Sequence, residues 1–174
     1  MYIGHVGAAL AAKRLRVGIG LLPLLIATYT PDWIDTGLCV AGRYDPRGML
    51  SHSIPSVLIF ALVGFALYGA LTRDWTGGLV VAAVILSHMF LDWITGYKPT
   101  WPGGPMIGLH LYDHPIADFI AEGLTIAVGT LLYARTLPRR QRPWVDFSIM
   151  VGALLVLQLT IDVAHLLLAR LPKC

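Results

Sequence analysis

Charged residues are scarce in this chain. Lys, Arg, Asp and Glu make up 13% of its 174 residues, about half of the ~25% that is usual in a soluble domain. Hydrophobic residues make up 56%. This composition argues against a soluble domain, and the sequence shows neither a nucleic-acid-binding motif nor a basic stripe interleaved with aromatic residues. We therefore expect a membrane protein without a nucleic-acid partner, formed as a single domain over residues 1–174.

The sequence has only two cysteines, and its first residues do not have the pattern of a secretory signal. Cys39 and Cys174 form neither a C-x-x-C pair nor a disulfide framework, and the sequence alone leaves open whether they are bonded. The apolar residues 2–12 are followed by basic residues, whereas in a secretory signal the basic residues come first. We therefore interpret residues 2–12 as part of the fold.

The chain contains several long apolar stretches. A helix needs about 20 apolar residues to cross the ~30 Å hydrocarbon core of a bilayer. Four stretches meet this length, at residues 53–72, 79–97, 116–134 and 147–169. A fifth, at residues 17–34, is interrupted by Pro23 and Pro31. Residues 2–12 reach only ~16 Å as a helix. The pattern predicts an all-α polytopic membrane protein with about five transmembrane helices and a short N-terminal half-membrane helix.

The basic residues predict an orientation. Three lie in residues 13–16, four in residues 135–142, and Arg73 lies in a short loop between two spans. If the five spans alternate, these eight fall on one side and the other five Lys and Arg on the opposite side. Cytoplasmic loops are enriched in Lys and Arg. The asymmetry predicts that the 13–16 and 135–142 loops lie on the cytoplasmic side of the membrane.

The same alternation gathers ionisable residues in the outer leaflet. They would lie at or near the outer ends of the spans, and they comprise Asp32, Asp35, His52, His88, Asp92, Asp118, Glu122, Asp162 and His165, with His110, Asp113 and His114 in the adjoining loop. His5 can reach the same depth from the N-terminal helix. Ionisable groups at membrane depth are costly, so this convergence indicates a shared polar site.

A metal ion is the simplest reason for such a site. His88 and Asp92 are four residues apart, so on a helix both project from one face and can bind one ion. His114 and Asp118 repeat the spacing, although Pro115 makes His114 the residue before the helix. A mixed imidazole and carboxylate set suits zinc first, with manganese or iron possible. The expected ligands are His5, Asp32, His52, His88, Asp92, His114 and Asp118.

Other residues are candidates for catalysis and substrate binding. Asp32 or Asp35 would orient or deprotonate water. Glu122 is a third catalytic candidate, which would act by orienting a metal ligand. Alternatively, Asp32 only caps a helix. The candidate substrate-binding residues are Arg47, Lys98 and His110. Residues 97–105 are rich in Pro and Gly and would form a mouth or lid. Asp162 and His165 could simply hydrogen-bond each other.

Three segments carry a resemblance to a known family. They read "PDWID" at 31–35, "RGMLSHS" at 47–53 and "SHMFLDWITG" at 87–96. Their order resembles that of the bacterial inner-membrane metal-dependent hydrolases, which also open with a "GH" and carry an "HRGxTHS"-like segment whose first His has no counterpart in register here. The resemblance covers about residues 1–120. The order of His and Asp residues is also similar to the ligand order of zinc-dependent phospholipase C and P1-type nucleases.

The resemblance implies a multi-pass protein of the bacterial inner membrane that hydrolyses its substrate with a metal-activated water. Together with the orientation predicted from the basic residues, it puts the active site on the periplasmic side. The substrate would be a phosphoester of a lipid or lipid-linked molecule at the outer leaflet, with one to three zinc ions bound; the oligomeric state is open. The alternatives are a non-enzymatic ion or proton pathway and a partner subunit with a structural metal. A pathway should cross both leaflets, whereas residues 80–86 and 123–134 are almost purely apolar. The clustering therefore favours a one-sided site.

Overall fold

The fold consists of helices and one small hairpin. The computed structural model describes residues 2–43, 45, 47–137 and 143–168, without the side chains of residues 143, 165, 166 and 168. The described residues form seven α-helices, α1 Gly4–Ala12, α2 Leu21–Thr28, α3 Thr30–Val40, α4 Ile54–Thr72, α5 Trp75–Thr95, α6 Pro115–Ala134 and α7 Pro143–Leu168. Strands β1 Lys98–Pro99 and β2 Met106–Ile107 pair antiparallel, and a 3-10 helix covers Leu111–Asp113. The predicted all-α membrane class is confirmed.

Four of the described helices, α4 to α7, are long and apolar enough to cross a membrane. They correspond to the four uninterrupted stretches of the sequence. Helix α5 begins at Trp75, earlier than predicted, because the Asp74 carboxylate accepts a hydrogen bond from the Gly77 N–H at 2.9 Å and caps the first turn. The predicted end of the last span, at residue 169, lies outside the described residues.

The predicted fifth span is not one helix. It consists of α2 and α3, which meet at Tyr29, where the backbone leaves helical geometry (φ −99°, ψ 9°). The break follows from Pro31, which has no N–H to bond the carbonyl one turn earlier, at Ala27. Pro23 causes no break because it lies in the first turn of α2, where an N–H would have no partner inside the helix. Of the about five predicted spans, four are thus long helices, and the fifth is a segment broken into two shorter ones.

The predicted N-terminal half-membrane helix is α1, which packs along α6. Gly7 and Gly129 allow the two backbones to touch, because a Cβ on Gly7 would overlap the carbonyl oxygen of Thr125, and one on Gly129 would overlap that of Gly7. The contacts of Gly4 with Glu122 and of Gly7 with Thr125 show that α1 and α6 run in the same direction. Both helices therefore begin at the same end of the bundle.

That end is where α4 begins, α5 ends and the β-hairpin lies, and we call it the hairpin end. The Thr100 carbonyl accepts a hydrogen bond from the Ile54 N–H at 2.9 Å, and the Trp93 carbonyl accepts one from the Leu109 N–H at 2.8 Å. The region predicted to form a non-helical mouth, residues 97–105, is therefore held against the start of α4 and the end of α5.

The described basic residues of two predicted cytoplasmic loops lie at the opposite end. The Arg16 guanidinium binds the Asp74 carboxylate through two contacts of 3.1 Å, which brings the 13–16 segment to the turn between α4 and α5. The Gly77 N–H and the Arg16 guanidinium hold the pKa of Asp74 below its usual range. Arg135 follows the end of α6 and so also lies away from the hairpin end. Residues 138–142 lie outside the described residues.

Candidate metal centre

Five ionisable side chains meet near the hairpin end. They come from α1, from α3, from the segment before α4 and from α5, and we call them the His/Asp cluster, comprising His5, Asp32, His52, His88 and Asp92. All except Asp32 are buried. Four separate parts of the chain thus contribute to one polar centre inside an apolar bundle.

The Asp92 carboxylate is the hub of the cluster. Its oxygens lie 3.2 Å from Nε2 of His5, 3.4 Å from Nε2 of His88 and 3.5 Å from Nε2 of His52. The ammonium group of Lys98, in β1, lies 3.1 Å from the same carboxylate. The predicted helical pair His88 and Asp92 does share one face of α5, and three further basic groups point at that face.

Asp32 forms the second side of the cluster. Its Oδ1 lies 3.2 Å from Nε2 of His52 and 3.7 Å from Nε2 of His88. The Asp32 side chain is 42% exposed, so it lies at the mouth of an otherwise buried site. Potential ligand atoms lie within 4.8 Å of one another in two overlapping groups, His5 with His88 and Asp92, and Asp32 with His52 and His88.

The hydrogen bonding of His88 fixes where its lone pair points. Nδ1 lies 2.7 Å from the carbonyl oxygen of Thr28, which can only accept, so Nδ1 carries the hydrogen. The Nε2 atom of a neutral His88 then has a lone pair directed at the carboxylates of Asp32 and Asp92. Nε2 is buried and makes no hydrogen bond within the described residues. A backbone carbonyl that orients an imidazole in this way is the usual outer partner of a metal-binding histidine.

His52 is oriented by a similar chain of contacts. The Ser51 hydroxyl donates to Oδ1 of Asp35 at 3.1 Å, because an ionised carboxylate can only accept. The single hydroxyl hydrogen is then used, so at 2.7 Å the Ser51 oxygen accepts from Nδ1–H of His52. This leaves the lone pair of His52 on Nε2, facing Asp32. Asp35, a predicted catalytic residue, therefore lies behind His52 and acts on it through Ser51.

Glu122 holds the helix that carries His5. Its two carboxylate oxygens accept hydrogen bonds from the N–H groups of Tyr2 at 2.7 Å and Gly4 at 2.9 Å. Gln158 in α7 accepts a third, from Ile3 at 3.0 Å. A carboxylate at a helix N-terminus is favourable because it binds free N–H groups and complements the helix dipole. Glu122 thus fixes the position of His5, whose ring stacks on His88 with a centroid distance of 4.0 Å.

The family of the chain can now be stated. Residues 1–166 match the YdjM inner membrane protein family. This chain belongs to the YdjM family. No curated protein and no solved structure matches it. Membership confirms the expectation of a bacterial inner-membrane family, and the matched region contains every residue of the His/Asp cluster.

The YdjM-family match also covers predicted site residues that the structure leaves outside the cluster. His114 is exposed at the start of α6, because a residue before proline is disfavoured in the helical region and its side chain leaves the face of Asp118. Asp118 is buried, and its Oδ1 has no hydrogen-bond partner among the described residues. Neither belongs to the two groups of converging ligand atoms.

Two of the three predicted substrate-binding residues also lie outside the cluster of this YdjM-family chain. The side chain of His110 stacks on Tyr97 and lies 3.7 Å from Asp113, and Arg47 is exposed in the loop before His52. Lys98 is the one that reaches the cluster. For the last predicted pair, the side chain of His165 lies outside the described residues, and its proposed partner Asp162 accepts a hydrogen bond from Gln158 at 2.7 Å.

Some contributors to the site are absent from the sequence prediction. The Thr28 carbonyl has no sequence signal because every residue carries one, whereas Ser51 is visible as the polar residue that precedes His52 in "SHS". Tyr2 and Tyr112 pack on each other near the hairpin end. Burial raises the pKa of Tyr2 to about 12 and raises that of Tyr112 as well. Both side chains are therefore neutral phenols at neutral pH.

Proposed function

We propose that this protein is a membrane-embedded, metal-dependent hydrolase that acts on a phosphoester of a lipid or lipid-linked substrate. The observation that carries the proposal is the direction of the histidine lone pairs. Nε2 of His52 and Nε2 of His88 face carboxylate oxygens at 3.2 to 3.7 Å, although the hydrogens of both rings are used on their other sides. Two acceptors at these distances repel each other unless a metal ion or the second proton of an imidazolium lies between them. The convergence of two imidazoles and two carboxylates on one point favours the metal ion.

The donor set fits zinc. Imidazole nitrogens and carboxylate oxygens are usual zinc ligands, and manganese or iron would accept the same set. His88 has one nitrogen free for a metal, because Nδ1 is held by Thr28. The two groups of ligand atoms both require that nitrogen. They therefore cannot be filled as two complete sites, which favours one ion over the two or three that the sequence also allowed.

The charge of the cluster supports an anionic substrate. The carboxylates of Asp32 and Asp92 and the ammonium of Lys98 give a formal charge of −1 when the histidines are neutral. One divalent cation would change this charge to +1. A phosphodiester carries one negative charge and would neutralise it. The arrangement thus favours a phosphate-containing head group over a neutral one.

The residues around the ion have separate roles in this proposal. A zinc ion supplies Lewis-acid chemistry and makes water acidic enough to act as a nucleophile near neutral pH. Asp32, at the exposed mouth, is placed to accept a proton from water. Lys98 can donate to a phosphate oxygen, and Ser51 with Asp35 keeps His52 oriented. Glu122 holds α1 and so positions His5.

The substrate would arrive from the membrane. The site lies at one end of the spanning helices, beneath the β-hairpin, where lipid head groups would lie if these helices cross the bilayer from end to end. The clustering of basic residues at the other end supports a periplasmic site and an outer-leaflet substrate. A structural metal is the second candidate, because the cluster ties together α1, α3, α5 and the segment before α4. Turnover distinguishes the two candidates.

The test combines metal analysis with activity measurements. Purified protein in lipid nanodiscs is analysed for metals, then assayed for release of phosphate or head group from a panel of phospholipids and polyprenyl phosphates. Asp32→Asn should reduce activity by ~100-fold or more, since it removes a general base or metal ligand. Asp113→Asn is the matched control, because Asp113 is 75% exposed and outside the cluster. Thermal melts of both variants check the fold.

Each outcome decides between the candidates. Wild-type protein without a transition metal overturns the hydrolase proposal. Equal activity of wild type and Asp32→Asn removes Asp32 from the mechanism. Bound metal without turnover of any lipid in the panel favours the structural-metal subunit.

A further inference from the structure

An apolar groove runs along the lipid-facing side of the bundle. One wall is formed by α2 and α3 between residues 23 and 34, the other by α4 between residues 59 and 71, and the floor by Val81 and Ile85 of α5. The cavity has a volume of about 530 Å³. Thr30 and Tyr68 are the polar side chains among the described residues that line it, and the Thr30 hydroxyl is bonded to the Ile26 carbonyl.

The groove leads toward the His/Asp cluster. Val81, Ile85, His88 and Asp92 follow one another at spacings of four, three and four residues, so they form one stripe along α5. The first two are the floor of the groove, and the last two belong to the cluster. The wall on α4 begins five residues after the helix start, or ~8 Å below it. That distance leaves room for a head-group linkage between the two sites.

The groove follows most of the length of α4. Its wall on that helix extends over 13 residues, from Ile59 to Leu71, which corresponds to ~18 Å of helix. Leu71 is the last residue but one of α4, so the groove reaches from ~8 Å below the hairpin end to the opposite end of the helix. A hydrocarbon chain that fills it would extend beyond the ~15 Å of one leaflet, which favours a long chain.

The volume of the groove suits a hydrocarbon chain better than a whole helix. A cylinder 10 Å wide and 18 Å long, the space that such a length of α-helix needs, encloses roughly 1,400 Å³. The groove offers about 530 Å³, or somewhat more than a third of that. It would hold only part of the width of a helix, whereas a single extended hydrocarbon chain is narrow enough to lie within it.

We propose that this groove binds one hydrocarbon chain of the substrate lipid while the phosphate head group lies at the His/Asp cluster. This inference rests on the proposed function and specifies its substrate class as a lipid with a long chain attached near the phosphate. The groove holds the hydrocarbon chain along the stripe of α5 that ends at His88 and Asp92. It thereby positions the phosphoester bond that is to be cleaved.

The test uses two photoreactive lipids with the same diazirine-bearing acyl chain. One is a phosphatidic acid and the other a phosphatidylcholine, each added in trace amounts to phosphatidylcholine nanodiscs containing the zinc-loaded protein. Mass spectrometry of peptides locates the labelled residues. We expect the phosphatidic acid to label groove residues such as Val63 and Leu67 in excess over phosphatidylcholine, because its head group carries a net negative charge, whereas that of phosphatidylcholine is zwitterionic and net neutral.

Two variants fill the groove from opposite walls. Val63→Trp and Ile26→Trp should each reduce labelling of the groove by the phosphatidic acid about tenfold, the change that ~1.4 kcal/mol of lost binding produces. Leu62→Trp is the matched control, because Leu62 is the neighbouring residue on α4, is 67% exposed and does not line the groove. Two variants on different helices guard against a local folding defect, which thermal melts would reveal.

The outcomes separate the groove from the hydrolase. Equal labelling of the groove and of the Leu62 face by both lipids, unchanged in the Trp variants, overturns the groove proposal. If the wild-type protein still hydrolyses a short-chain water-soluble phosphoester in that case, the proposed function stands without the groove. Head-group-dependent labelling of the groove in a protein without turnover supports the lipid site and overturns the hydrolase.

Discussion

Replacement of Asp92 by asparagine tests the metal centre most directly. Its carboxylate is buried and lies within 3.5 Å of three imidazole nitrogens and the Lys98 ammonium. The Asp92→Asn side chain keeps the shape but loses the negative charge. Its amide is a poorer ligand, and its NH₂ group would face cationic or donor groups. We expect Asp92→Asn to lose the metal while the helices remain.

The size of the effect follows from linkage between binding and stability. A metal present at 100 times its dissociation constant stabilises the folded state by about 2.7 kcal/mol. Loss of an outer partner of a ligand weakens binding by ~10–100-fold, so loss of a ligand should weaken it by at least ~100-fold. At the same metal concentration the variant is then half-filled, and the metal contributes only about 0.4 kcal/mol.

Thermal melts with and without a chelator measure this difference. In a protein of this size ~1 kcal/mol shifts the melting temperature by about 2–4 °C. Removal of the metal should therefore lower the melting temperature of the wild type by about 5–11 °C and that of Asp92→Asn by about 1 °C. Elemental analysis of both proteins, purified in parallel, gives the metal content directly.

Asp74→Asn is the matched control for this experiment. Asp74 is paired with Arg16 at the opposite end of the bundle, so its replacement should leave the metal content and the chelator effect unchanged. The reasoning fails if the wild type contains no transition metal. It also fails if Asp92→Asn retains the metal and the chelator effect of the wild type.

Three further predictions follow from other contacts of the site. Ser51→Ala should weaken metal binding ~10–100-fold in a chelator competition, because the histidine that follows it loses its orienting partner, whereas Ser53→Ala should not. Glu122→Gln should destabilise the protein in thermal melts by ~1.5–3 kcal/mol, the usual value of a hydrogen bond to a charged group; an unchanged melt would contradict the role given to this carboxylate. In cells whose protein carries serine at both native cysteine positions, an impermeant thiol reagent should label a cysteine replacing Trp101 and not one replacing Leu15. The reverse pattern would place the site in the cytoplasm.

The sequence predicted the helices well where a single physical rule governs them. Hydropathy and length set the four long spans, and the structure shows α4 to α7 at those places. The fifth segment was predicted less well because two effects compete there. Its apolar residues favour one span, whereas Pro31 removes a hydrogen bond in the middle of it, and the chain divides into α2 and α3 at Tyr29.

The candidate site was predictable where helical periodicity applied and less so elsewhere. The spacing of His88 and Asp92 placed both on one face of α5, as the structure shows. Asp32 and Asp35 are three residues apart and also share a face, so the sequence could not tell which one meets the cluster. The path of the chain before α4 decides this, because it brings His52 to Asp32 and Ser51 to Asp35.

The dependence on helical periodicity also explains why His114 and Asp118 do not share a face. The rule of four residues holds only when both residues are helical, and Pro115 moves His114 out of the helix. Glu122 illustrates a different limit. Its hydrogen bonds reach residues nearly 120 positions earlier in the chain, and no local pattern encodes a contact at that separation. Such contacts follow from the packing of α1 on α6, which depends on two glycines that touch.

The distribution of polar groups along α5 bears on the choice between a pathway and a one-sided site. A pathway for ions or protons needs polar groups or water at every depth. Below His88 the buried residues of α5 are all apolar: Ile85, Val84, Val81, Val80, Gly78 and Gly77. The residues of α2 that belong to the same core are Leu24 and Ala27. In the described part of the chain, the polar region of this stripe thus ends at His88 and the Thr28 carbonyl. What continues from there is an apolar groove open to lipid, so the geometry suits a substrate that enters sideways from one leaflet better than an ion that crosses both.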